Sequence, residues 1–142
     1  MKNVLVLFLV CIFFSCENWL DVSPKSDIKA EDLFSRERGF EDAMVGVYSL
    51  MTLPDLYGAN LSFGYVDVLA HYYRIGTKSS FYEANRYDYE NSSEESRLAS
   101  IWELSYKSIA NLNSVLNYID DRKDVFSGDS YYLYKGEALA LR

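Results

Sequence analysis

Three groups of residues in this chain have types and spacings suited to chemistry. The first is Cys16, a thiol that follows the apolar run Val4–Phe14 and the small residue Ser15, just where polar sequence begins at Glu17. A thiol at that junction is placed to carry a lipid. The second is the stretch from His71 to Asn91, crowded with tyrosines and polar residues. A sugar ring presents an apolar C–H face and a fringe of hydroxyls, so holding one takes a flat aromatic surface and planar hydrogen-bonding groups. Tyr72, Tyr73, Phe81 and Tyr82 offer the faces, and Arg74, Asn85 and Arg86 offer forked or paired hydrogen bonds. The same residues would also serve to pack the stretch on a scaffold or to face another protein, and their types leave these uses open. The third group, Trp102, Tyr106, Asn113 and Glu137, sits in helical periodicity. There a scaffold role is expected: the rings pack in the core, while Asn113 and Glu137 tie their helices to neighbours.

Other chemistries find little support. His71 is the single histidine and no free cysteine accompanies it, so a transition-metal site would need a carboxylate-rich set that no spacing provides. No nucleophile motif accompanies His71, and no glycine-rich phosphate loop is present. Asp120, Asp121, Asp124 and Asp129 lie in a polar linker and read as solvated charge, while Glu94 and Glu95 suit a helix start, where negative charge is favoured. The chain is expected to be no enzyme and to need no metal or cofactor.

The start of the chain sets its address. Met1-Lys2-Asn3 is a short basic lead, and the eleven residues Val4–Phe14 are too few for a bilayer span, which takes about 20. This is the layout of a secretory signal peptide. Apolar run, small residue and cysteine together resemble a bacterial lipobox, although Phe13 and Phe14 stand where smaller or aliphatic residues are usual; an ordinary cysteine near a conventional cleavage site is the plainer alternative. Several acyl chains, palmitate among them, would hold the protein on a membrane without a spanning helix. The chain carries 14 basic and 21 acidic side chains, and loss of the signal peptide removes Lys2 and no acid, leaving a net charge of −8. That balance argues against nucleic acid and against electrostatic attraction to anionic lipid, so the membrane is met through the lipid anchor alone.

The elements that must position these groups follow from periodicity. Residues 1–15 read as the signal peptide and 16–29 as the lipidated cysteine with an extended tether, Pro24 disfavouring helix at Ser23. Residues 30–142 read as a helical domain. After a short turn at Ala30–Phe34, a helix is expected from Ser35 as N-cap, with Phe40, Ala43, Met44, Val47, Tyr48 and Met51 on one face and Pro54 at its end. Gly46 inside it suggests close approach by another helix. Residues 55–91 resist a periodic reading, and Tyr65–Leu69 fits a strand as well as a short helix. Ser92-Ser93-Glu94-Glu95 has the spacing of a capping box, opening a helix to about Asp120. Its expected apolar face is Leu98, Ile101, Trp102, Ser105, Ile109, Leu112, Asn113 and Leu116. A further helix runs from about Ser130, antiparallel to the last. It is still apolar and periodic at Leu141-Arg142, without a stop signal. The chain is therefore expected to be an incomplete piece with an uncovered apolar face and marginal folding of its own.

Four landmarks, in this order, resemble the SusD/RagB family of outer-membrane nutrient-binding lipoproteins. Cys16 is followed by Leu20-Asp21-Val22-Ser23-Pro24, which looks like the family's L-D-x-x-P. Gly46-Val47-Tyr48-Ser49-Leu50 is similar to its G-x-Y segment. Trp102, Tyr106, Ile109, Asn113, Leu116 and Ile119 are spaced like its W-Y-I-N helix, and Gly136-Glu137-Ala138 with Leu141-Arg142 is like its G-E-A-x-x-L-R. The resemblance spans nearly the whole chain, but family members are several times longer. It implies a mostly α fold of tetratricopeptide-like helix pairs with long ligand-binding loops, here truncated to the amino-terminal part. It further implies a lipid-anchored protein of the outer membrane that faces the exterior. Such a protein captures oligosaccharide, or in some branches peptide, and passes it to a SusC-like TonB-dependent transporter. The glycan contacts it implies fall in the region just before the W-Y-I-N helix and mark no single residue. A helical-repeat scaffold that binds peptide or protein is the rival reading.

Overall fold

The computed structural model describes residues 29–142; the expected signal peptide, Cys16 and the tether up to residue 28 lie outside the described residues. The described chain is mostly helical and contains no strand. None of its helices is long and apolar enough to cross a membrane.

A short helix α1 (Ala30–Leu33) leads into α2 (Glu37–Met51). Ser35 does not cap α2 as expected. Its hydroxyl donates to the Asp32 carbonyl at 2.7 Å and so closes α1, and Arg36, in extended conformation, takes the N-cap place. Gly39 is required here, because any Cβ would run into the Leu33 carbonyl where the two helices turn closely. Phe40, Met44 and Val47, at helical spacing, are buried as expected. Gly46 departs from expectation: no atom lies within 4 Å of where its Cβ would sit, so no helix approaches it. It lines a shallow groove with Ala30, Leu33, Phe34, Ala43, Asn111 and Ser114.

Tyr65–Leu69 is a helix (α3), and a second short one, α4 (Tyr82–Asn85), follows within the tyrosine-rich stretch. The long helix α5 (Ser92–Ile119) begins one residue earlier in its capping than the sequence suggests. Asn91 is the N-cap, its side chain accepting the Ser93 N–H at 3.0 Å. A 3₁₀ turn (Lys123–Val125) then connects to α6 (Ser130–Leu141). Gly128, with a left-handed φ of 54°, makes the bend that precedes α6.

Helices α2, α5 and α6 make the body. The start of α2 lies by the end of α5, since Phe40 meets Phe126 at 4.7 Å and Glu37 accepts the Ser127 N–H at 3.2 Å. Lys135 of α6 bridges Asp120 at 2.6 Å, while Arg142 at the far end reaches Asn113 at 3.4 Å. Both α2 and α6 therefore run antiparallel to α5. Leu112, Val115 and Ile119 close the core from α5, and Ala138 from α6. Of the face expected on α5, Leu112 is buried and Ile109 and Leu116 half-buried, but the other end differs. Trp102 is 65% exposed and Tyr106 52% exposed, so the expected core rings lie on the solvent side. The helix is instead turned so that Glu94 and Ser108 face inward. Ser108 tolerates burial by donating to the Leu104 carbonyl at 2.9 Å.

Candidate functional site

Segment 55–91 is not a structureless loop. It folds around a second, smaller core in which Tyr65, Val68 and Ala84 are buried and Leu69, Ile75 and Phe81 half-buried. Two residues adopt left-handed backbone without being glycine, His71 (φ 56°) and Tyr87 (φ 58°), a conformation uncommon for bulky side chains. They hold each other. Their rings stack at 5.1 Å, the Tyr87 hydroxyl donates to the Leu69 carbonyl at 2.7 Å, and His71 Nε2 lies 3.1 Å from the Asn85 carbonyl. This clasp pins the residues after α3 to those after α4.

The clasp presents Tyr72, Tyr73 and Arg74 outward. Tyr72 is 78% exposed and Tyr73 56% exposed, and Arg74 is exposed beside them. The other three sequence candidates sit differently. Phe81 is half-buried against the small core with a guanidinium over its ring at 4.5 Å. Tyr82 is half-buried with Arg86 over its ring at 5.5 Å, and Arg86 pairs with Glu83 at 3.5 Å. Asn85 is half-buried, its carbonyl committed to His71. The structure thus exposes Tyr72, Tyr73 and Arg74 in succession after the clasp, and half-buries Phe81, Tyr82 and Asn85 in the segment beneath.

The guanidinium over Phe81 belongs to Arg97 of α5, a residue that the sequence reading passed over. Arg97 Nη1 donates to the Asn60 side-chain oxygen and Nη2 to the Ser80 carbonyl at 3.0 Å. Nε faces the Glu94 carboxylate at 3.6 Å, an ion pair too long for a hydrogen bond. Glu94 is wholly buried, so its place at a helix start accounts for only part of its role. Its carboxylate lies beside the Tyr65 hydroxyl. Burial pushes that phenol above its usual value, and the negative charge of Glu94 pushes it the same way. The one trace in the sequence is the Glu-x-x-Arg spacing, which sets both side chains on one side of a helix.

The expected scaffold residues are also located. Trp102 and Tyr106 lie with ring centroids 4.6 Å apart on the outer side of α5. Asn113 accepts from Arg142 rather than from a neighbouring backbone, and Glu137 is half-buried on α6. Met51, Leu56, Tyr57, Ile109 and Leu141 line an open groove of about 280 Å³ between the body and the start of the segment. Among the described residues no group of three or more His, Cys, Asp or Glu side chains is arranged to hold a metal ion.

The paired helices and their aromatic, clasp-held segment can be set beside known proteins. The SusD-like family model, described as starch-binding and associating with the outer membrane, matches residues 18–142, and the chain belongs to that family. It is also similar to SusD-like protein P25 of Formosa agariphila, 26% identical over 126 residues that cover 84% of this chain and 24% of that protein. The chain thus spans about a quarter of the length of this curated relative. No solved structure matches it. The family's members are binding proteins associated with the outer membrane.

Proposed function

We propose that this chain is the amino-terminal part of a cell-surface lipoprotein that captures oligosaccharide and delivers it to a SusC-like TonB-dependent transporter. Cys16 carries the acyl chains that hold it at the outer membrane, facing outward. The observation that carries the reading is the exposed run Tyr72-Tyr73-Arg74, two aromatic faces and a forked donor held out by the His71–Tyr87 clasp. Stacking supplies the affinity for the apolar face of a sugar, and Arg74 supplies directed hydrogen bonds to its hydroxyls. Family membership supports a glycan as ligand, with the starch named in the family's description the first to try.

The test is calorimetric titration with malto-oligosaccharides, backed by a glycan array. An aromatic contact is worth about 0.5–1.5 kcal/mol, so Tyr72→Ala or Tyr73→Ala should each weaken binding about 2- to 12-fold. Both side chains are exposed, so thermal stability should stay within about 0.5 kcal/mol of the parent. Binding to peptides with none to any glycan would overturn the reading, as would glycan affinity unchanged in the double variant. Labelled palmitate should appear on the chain and be lost in Cys16→Ala. Release of reducing ends by the purified protein would contradict a purely binding role.

A further inference from the structure

Segment 55–91 buries only Tyr65, Val68 and Ala84, too little apolar surface to hold a surface in place by packing alone. Beyond the turns that join it to α2 and α5, its hydrogen bonds to the body come from one side chain. We propose that Arg97 is the positioning residue of the aromatic surface: it fastens the tyrosine-rich segment to α5 and so sets where Tyr72, Tyr73 and Arg74 stand. As a claim about ligand binding, this rests on the reading of that surface as the glycan site.

The guanidinium of Arg97 is used on every side. Its two terminal nitrogens bond Asn60 and the Ser80 carbonyl, partners 37 and 17 residues away in sequence, and its face lies over Phe81 at 4.5 Å and Tyr65 at 5.7 Å. Asn60 in turn donates to Asp55. The side chain is only 11% exposed, so these bonds compete little with water. Glu94, one turn earlier on the same helix and fully buried, needs a cation beside it and thereby aims Arg97 at the segment. From Arg97 the linkage continues outward. Ser80 is joined to Phe81, whose carbonyl accepts the Asn85 N–H at 3.0 Å, and the Asn85 carbonyl meets His71, the residue before Tyr72. Lysine would keep the charge and lose the arrangement. An ammonium is a point charge on a flexible stem, unable to reach two separated acceptors while lying flat on a ring.

Hydrogen–deuterium exchange on the full chain, compared among Arg97→Lys, Arg97→Met and the parent, decides the matter. Amides in 55–64 and 79–91 should exchange about tenfold faster in both variants, while those of α2 and of residues 108–119 keep the parent rate. Should Arg97→Met fail to fold with Glu94 left unpaired, the double variant Glu94→Gln/Arg97→Met removes both charges and gives the same comparison. Parent-like exchange in Arg97→Lys would overturn the proposal, because charge alone would then suffice. Equal acceleration in the body would overturn it too, because Arg97 would then be a general stabiliser. Maltoheptaose affinity separates this from the reading beneath it. Segment loosening with affinity down about tenfold supports both, whereas the same loosening with unchanged affinity keeps the anchoring role and removes the glycan site from this surface.

Discussion

The body of α2, α5 and α6 and the segment 55–91 both rely on aromatic side chains, yet those at the centre of the body and those around the clasp and Arg97 are held differently. In the body, rings interlock with one another: Phe34 meets Phe40 at 4.7 Å and Tyr118 at 5.0 Å, and Phe40 meets Phe126 at 4.7 Å. Leu112, Val115 and Ile119 fill the space between the helices, all fully buried. In the segment, rings are fixed by polar partners: Phe81 by Arg97, Tyr87 by a backbone carbonyl and a histidine, Tyr82 by Arg86. Apolar packing is non-directional and tolerates small shifts, whereas a hydrogen bond fails when its partner moves (donor–acceptor distances of about 3 Å leave little slack). A surface meant to hold a ligand in one orientation gains from the second kind of attachment, and a scaffold gains from the first.

The largest effect expected follows from that contrast. Phe40→Ala empties the centre of the body, where the ring touches two others, and should cost about 3–5 kcal/mol with a cavity left behind. For a domain of ordinary marginal stability this is most of what holds it folded. Thermal unfolding should lose its cooperativity or fall steeply in midpoint. A loss below about 1 kcal/mol would mean that the body is held by something other than this core, and the contrast would break. In the segment the comparable single change is smaller and local. Tyr87→Phe keeps the ring stacked on His71 and removes only the hydrogen bond to the Leu69 carbonyl, a change worth about 1 kcal/mol. It should speed amide exchange around 69–73 and leave the global midpoint almost unmoved. A large drop in the midpoint would show that segment and body unfold as one unit.

The same contrast explains what was legible in the sequence. Body elements were readable because their cause is local. Phe40, Met44 and Val47 repeat at helical spacing, Pro54 follows the end of α2, and Ser130 opens α6 within the expected place. The face of α5 is less legible, because apolar type alone decides a face only when the neighbours cover it evenly. The neighbours α2 and α6 cover the stretch from Ser108 onward, so Leu112 is buried while Trp102 and Tyr106, equally apolar, lie outside. Gly46 likewise signals closeness in general but faces a groove here. In the segment, composition pointed to the region and could not sort its residues. Tyr72 and Tyr87 are the same residue type and both reach solvent, yet only Tyr87 is stacked and hydrogen-bonded into a clasp, a distinction made by a left-handed backbone and by partners far along the chain. Arg97 escaped for that reason too, since its partners Asn60 and Ser80 are adjacent to it only in the fold.

The smallest expected effect tests whether polar contacts matter in the body as they do in the segment. Glu37, at the start of α2, accepts the Ser127 hydroxyl at 2.8 Å and the Ser127 N–H at 3.2 Å, joining α2 to the connection before α6. Hydrogen bonding from Ser130 and Ser127 holds its carboxyl below the ordinary value of 4.5. A carboxyl with a lowered folded-state value stabilises the fold fully above its unfolded value and loses that contribution as pH falls through the folded one. The parent should therefore exceed Glu37→Gln in thermal midpoint at neutral pH, with the gap closing below about pH 4.5. The site is open to solvent, so screening should keep the gap to a degree or two and shrink it further in salt. A gap that does not narrow as pH falls below 4.5, or one as large as that of Phe40→Ala, would place a directional polar contact at the centre of the body's stability. The division between a packed scaffold and a hydrogen-bonded binding segment would then no longer describe this molecule.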